Sequence, residues 1–168
     1  MRGMIMMAGA MLLAGCGSGG EAPAKNEVAA KLGAGLYDVT AEVANLASTD
    51  KTTPATKLKI GDKVMAQACV GAGGMPEAAL LAEAGDTCTS ASSYARNGRL
   101  NIQLACKRAG DNGSVMVSVD GKFTAEAFEG QAQSETQFYG QGDYRMTRNL
   151  TAKRVGDCPP GGAAKAGG

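Results

Sequence analysis

The stretch CTSASSYARNGRLNIQLACK (Cys88–Lys107) holds a turn, two strands and two cysteines, and its register decides the fold. Leu100, Ile102 and Leu104 alternate with polar residues, the period of two that a half-buried strand shows. Arg96-Asn97-Gly98 reads as a three-residue loop, a type I turn closed by a left-handed glycine. In that register Ala95 faces Arg99, and counting outward brings Cys88 opposite Cys106 on the face of Leu100, Ile102 and Leu104. Directly opposed residues of an antiparallel pair have Cα atoms about 4.5–5.5 Å apart, within the range a disulfide accepts. A two-residue Asn97-Gly98 turn would shift the register by one and send the two sulfurs to opposite faces.

The flanking chain carries the same period. Tyr37, Val39, Ala41 and Val43 alternate with Asp38, Thr40 and Glu42, and a second strand is expected from Lys57 to Val70 with a bulge at Gly61-Asp62. GGMPEAALLAEAG (Gly73–Gly85) then reads as a short helix, with Pro76 near its first position and Gly85 closing it. Further strands are expected over Ser114–Phe123, Phe128–Thr136 and Gly142–Val155, and Asp120-Gly121 has the local chemistry of a turn. On the last strand Tyr144, Met146, Leu150 and Ala152 form the apolar face. Arg145, Arg148, Lys153 and Arg154 are assigned to the polar side, as a solvated, edge-protecting or headgroup-contacting basic face. The expected fold is mainly β: an antiparallel meander of about seven strands forming a strongly curved sheet or partly closed barrel, with one short inserted helix over one end.

The composition narrows the function. A formal net charge of +1 on 168 residues leaves no basic stripe for nucleic acid, and there is no Trp for a stacking platform. There is no His and no C-x-x-C spacing, so neither a metal nor any other cofactor is expected. Asp38, Glu42, Glu126, Glu129 and Asp157 fall at solvent-facing positions or turns, and Ser90, Ser92 and Ser93 have no His base. An enzyme is not expected.

The first fifteen residues, MRGMIMMAGAMLLAG, follow the plan of an export signal: an early positive charge, an apolar run too short to span a bilayer, then small residues. Leu13-Ala14-Gly15-Cys16 resembles the lipobox of bacterial lipoproteins. That resemblance implies cleavage before Cys16, lipidation of its sulfur and acylation of its amino group, and more than one acyl chain gives stable attachment. Gly17, standing where an Asp would favour inner-membrane retention, leans toward the outer membrane. With Cys16 lipidated, four of five cysteines remain for an oxidising compartment. If Cys88 pairs with Cys106, the remaining bridge is Cys69–Cys158; the connectivity Cys69–Cys88 with Cys106–Cys158 stays open. The expected divisions are a signal peptide over 1–15, the lipidated Cys and a flexible linker over 16–33, a β-rich domain over 34–158 and a disordered tail over 159–168. Asn26–Leu32 could add a turn or two of helix.

GLYDVTAEV (from Gly35), CVGAGGMPEAALLAEAGDTC (Cys69–Cys88), LACK (Leu104–Lys107) and TAKRVGDC (Thr151–Cys158) together resemble a bacterial envelope family catalogued as domain of unknown function 3617. The resemblance covers about Gly35 to Cys158. It departs at Tyr37, where the family usually has Trp, and in the stretch NLASTDKTTPAT (Asn45–Thr56), a reduced form of the usual insert. It implies an envelope location, four cysteines in this order and a continuous strand through SVDGKF (Ser118–Phe123), which moves the turn to Ala125-Glu126. It implies no activity. The functional expectation is a membrane-anchored lipoprotein that binds an apolar or amphipathic ligand or an envelope partner protein. The alternative is a structural or interaction module acting through a strand edge or the basic face.

Overall fold

The computed structural model describes residues 29, 31–110, 112–160 and 165–166. The expected signal peptide, Cys16 and linker residues 17–28 lie outside the described residues, as does most of the terminal tail. Seven long strands are β1 (Gly35–Ser48), β2 (Lys63–Val70), β3 (Asp86–Arg96), β4 (Arg99–Arg108), β5 (Gly113–Phe123), β6 (Ala127–Phe138) and β7 (Tyr144–Gly156). A two-residue β8 (Lys165–Ala166) pairs with Ala66 and Gln67 on the outer edge of β2.

All neighbours are antiparallel and the spatial order is β3-β4-β5-β6-β7-β1-β2-β8. The run from β3 to β7 is an uninterrupted meander, and the β1–β2 hairpin continues it from the far side of β7. The sheet curls into a half-barrel whose gap lies between β2 and β3. Register shifts between Val43 and Asn45 and beside Leu36 interrupt the long β1–β7 ladder. Such bulges sharpen local twist.

The inward rows follow from the registers. Leu104, Val117, Ser134 and Met146 lie side by side, as do Ile102, Val119, Ala132, Arg148 and Val43. The next row is Leu100, Gly121, Gly130, Leu150 and Ala41, with two adjacent positions that have no side chain. The ring of Phe128 lies over that pair and would meet a Cβ added at either glycine. Gly121 is therefore a strand glycine, and β5 runs through it to a turn at 124–126, as the family resemblance implies and against the local Asp120-Gly121 signal. The outward rows are polar: Asn101 donates to Asp120 at 2.6 Å, and Gln131 to Asn149 at 3.0 Å.

The β3–β4 hairpin corrects the expected turn while keeping its consequence. The loop is the two-residue Asn97-Gly98, both with positive φ (52° and 69°), so Arg96 faces Arg99. A bulge between Ser90 and Ser92 then shifts the register back by one. Cys88 faces Cys106 after all, and the two are joined in a disulfide with Cα atoms 4.0 Å apart.

The expected helix over Gly73–Gly85 shrinks to α1 (Ala78–Leu81). Pro76 is bridged to Val70, Glu77 and Ala82 are extended, and Gly74 and Gly85 have positive φ. The segment must cross from β2 at one edge to β3 at the other, and a helix this short has little stability of its own. Strand β2 also begins at Lys63 rather than Lys57, because residues 59–62 form a turn in which Asp62 N–H donates to Lys59 O, while Val43 donates to Asp62 O and accepts from Gly61 N–H.

The described residues before Gly35 are bonded to the sheet. Gly98 N–H donates to Ala29 O at 3.0 Å, and Gly33 N–H donates to Ala125 O at 2.9 Å. Leu32 is buried, and the Tyr37 hydroxyl lies 2.8 and 2.9 Å from the Gly33 and Ala125 carbonyls. No helix forms at the described residues of this segment. Apolar Leu32 filling the open side of the half-barrel outweighs the polar, small-residue composition before it.

Candidate functional site

The concave face is filled by the protein's own side chains. Its apolar cavity, lined by Leu32, Tyr37, Leu81, Phe128 and Leu150 among others, measures about 20 Å³, room for one water. A second space of about 590 Å³ opens at the mouth, between the loop at 54–58, Val64, the crossover at 82–84 and two arginines, Arg108 and Arg148.

Arg148 is the clearest departure from the sequence reading. It shares its parity with Tyr144, Met146 and Leu150, so the pleat points it inward, and only 3% of it is exposed. It crosses the interior and donates to the crossover, Nη1 to Ala82 O at 3.0 Å and Nη2 to Leu81 O at 2.5 Å. Its Nε has no partner among the described residues. Burial pulls its pKa below the ordinary guanidinium value, partly offset by the charge of Glu83. The expected basic face is thereby dispersed. Arg145 is exposed and paired with Glu135, Lys153 is exposed, and Arg154 binds Ala34 O and Asp157.

Arg108 continues the inward parity of β4 beyond Cys106 and gathers the mouth around itself. It clasps Asp86 with Nε at 2.8 Å and Nη2 at 3.1 Å, donates Nη1 to Ala55 O at 2.8 Å, and meets Glu83 at 3.1 Å. Its guanidinium carbon stands 5.7 Å from the ring centres of both Phe138 and Tyr144. Burial alone would lower its pKa, but the Asp86 bonds, Tyr144 and Glu83 carry it above the ordinary value. Glu83 in turn accepts from Thr56 Oγ1 and Tyr144 Oη, each at 2.5 Å. Burial first, and then Glu83, push the Tyr144 hydroxyl well above its usual pKa. Two guanidinium and two carboxylate groups thus occupy the mouth, with Lys57 at its rim.

The carboxylates and serines considered from sequence do not assemble. Asp38 accepts from Gln67, Glu42 pairs with Lys63, Asp157 pairs with Arg154, and Ser90, Ser92 and Ser93 lie exposed along β3. Among the described residues no three His, Cys, Asp or Glu side chains come together in a metal-binding group.

Cys69 and Cys158 meet at the other end of the sheet. Cys69 is buried near the end of β2, and Cys158 is half-buried two residues beyond β7. Both are thiols. The neighbouring Cys158, burial and the nearby Glu77 charge push the Cys69 thiol up to about 11.

No curated protein and no solved structure matches the chain. The family model described as protein of unknown function (DUF3617) matches residues 32–158, a span that begins at the buried Leu32 and ends at Cys158. The chain belongs to this family.

Proposed function

We propose that this chain is a non-enzymatic binding module of the bacterial envelope, tethered through a lipidated Cys16, which takes an amphipathic ligand in the cleft at the mouth of the half-barrel. One observation carries the ligand reading: the cleft holds about 590 Å³ whereas the apolar interior holds about 20 Å³. Sites for small ligands run to about 300–1,000 Å³, so of these two spaces the mouth is the one of the right size. Its lining is mixed, with Pro54, Leu58 and Val64 against Arg108, Arg148 and Glu83. An apolar segment can lie on the first group while a polar head meets the second.

The test is native mass spectrometry of the chain purified from its own envelope, beside Ala84→Trp. Ala84 is exposed at the cleft wall, so an indole there obstructs the space without disturbing the core. A small-molecule adduct on the native chain that is lost in the variant is the expected result. No adduct on the native chain, or one retained by Ala84→Trp, overturns the cleft reading.

The edge at β3 favours a second reading, as an interaction module. No strand pairs with its outer side among the described residues, and residues 89–94 are all exposed. An extended segment of a partner could add there by backbone bonds. A stoichiometric protein recovered by cross-linking through β3, with no small molecule in the cleft, would favour it.

A further inference from the structure

Two pairs of cysteines occupy this domain in different ways. Cys88 and Cys106 are opposite one another in a hairpin and are joined. Cys69 and Cys158 are brought together by the whole topology: Leu36 of β1 pairs with Cys69 on one side and with Gly156 on the other. The ends of β2 and β7 thus converge across the start of β1, and Cys158 is the neighbour that most raises the pKa of the Cys69 thiol. Their surroundings are unequal. Cys69 is 5% exposed, whereas Cys158 is half-buried beside the exposed Asp157 and Pro159.

We propose that Cys69 and Cys158 form a thiol–disulfide exchange site whose reactant is a disulfide-bearing oxidant, with Cys158 as the entry thiol and Cys69 as the resolving thiol. In the first step the Cys158 thiolate attacks the oxidant R–S–S–R. A Cys158–S–S–R bond forms, the oxidant's own S–S bond breaks, and one RS⁻ leaves and takes up the proton that Cys158 released. In the second, the Cys69 thiolate attacks the Cys158 sulfur, the mixed disulfide breaks, and a second RS⁻ leaves as RSH. Two electrons and two thiol protons have passed to the oxidant, and a Cys69–Cys158 bond ties the end of β7 to the end of β2. Access sets the order, because exchange begins at the sulfur that solvent-borne reactants can reach. The high pKa of Cys69 makes it a slow attacker on external reagents, while the convergence of β2 and β7 on Leu36 gives it a high effective concentration for the second step.

The test follows the full chain, reduced and then treated with oxidised glutathione, by time-resolved peptide mapping with mass spectrometry. In the wild type a glutathione adduct appears on Cys158 first and is replaced by the Cys69–Cys158 bridge. In Cys69→Ser the Cys158 adduct persists, and in Cys158→Ser capture of Cys69 is at least tenfold slower than capture of Cys158 in the converse variant. Equal capture of the two thiols, an adduct on Cys69 before Cys158, or two free thiols once Cys88–Cys106 has closed would overturn the proposal. Should a serine variant fail to fold, the wild-type order of events decides alone.

Discussion

Replacing Arg148 by Met separates the polar role of this residue from its volume, since the two side chains have similar reach. In the native protein Arg148 supplies two charge-assisted bonds, to Leu81 O and Ala82 O. Bonds of this kind contribute about 1.5–3 kcal/mol each, or roughly 3–6 kcal/mol together. Against them stand the several kcal/mol needed to desolvate a guanidinium and the orphaned Nε. The comparison turns on what is left behind. Met leaves two carbonyls without their donor, at about 1–3 kcal/mol each, and leaves Glu83 and Asp86 sharing Arg108 as their sole guanidinium among the described residues. Removing one member of a buried charged cluster costs about 3–5 kcal/mol, and we expect a net loss in that range for Arg148→Met. In urea, where slopes for small domains run at about 1–3 kcal/mol/M, the unfolding midpoint falls by roughly 1–5 M with the disulfide intact. Arg148→Lys retains the charge without the planar fork that spans both carbonyls, and is expected to lose about half as much. A Met variant unfolding at or above the wild-type midpoint would refute the reasoning. Desolvation would then outweigh the bonds, and the crossover would be held by something else.

Four further perturbations test other parts of the fold. Asp50 accepts hydrogen bonds from Thr52, Gly142 and Asp143, and these hold its carboxyl well below the usual carboxylate range. Because the folded pKa is depressed, its contribution is full above the unfolded value of about 4 and is lost as pH falls below it. Thermal midpoints of the wild type and Asp50→Asn should differ most near neutrality and converge toward pH 2; a constant gap would contradict this. Phe128→Ala removes the ring lying over Gly121 and Gly130, and should cost about 3–5 kcal/mol in denaturant unfolding. Gly130→Ala should also destabilise, by about 1–3 kcal/mol, since its Cβ would press on the Asp120 carbonyl; a neutral result would show that the paired strands can part there. Cys88→Ala with Cys106→Ala opens the hairpin bridge at about 3 kcal/mol on the chain-entropy account, and hydrogen exchange should rise first along β3.

Most strands were legible because one face is buried, which imposes a period of two on Tyr37–Val43, Leu100–Leu104 and Val115–Val119. Arg148 was legible by the same rule, since it keeps the parity of Tyr144 and Met146; grouping it with Arg145 and Lys153 placed charge above position. Asn97-Gly98 is the dipeptide that favours a two-residue turn, but the compensating bulge near Ala91 has no local signature among Thr, Ser and Ala. Gly121 follows Asp120 as a turn glycine would, and only the ring of Phe128, seven residues on, explains why the strand continues. The mouth was the least legible part. Glu83 lies in what reads as a helix, and its partners Thr56, Arg108 and Tyr144 come from three distant segments.

The pairing of β1 with β7 sets a timetable for the chain. Its earliest strand cannot complete both ladders until the last long strand has emerged, because Leu36 must find Gly156 and Ser48 must find Tyr144. Contacts so far apart along the polypeptide make for slow acquisition of structure. A nascent copy would stay open until β7 is free, and a fragment stopping short of residue 144 would present β1 with one side bare.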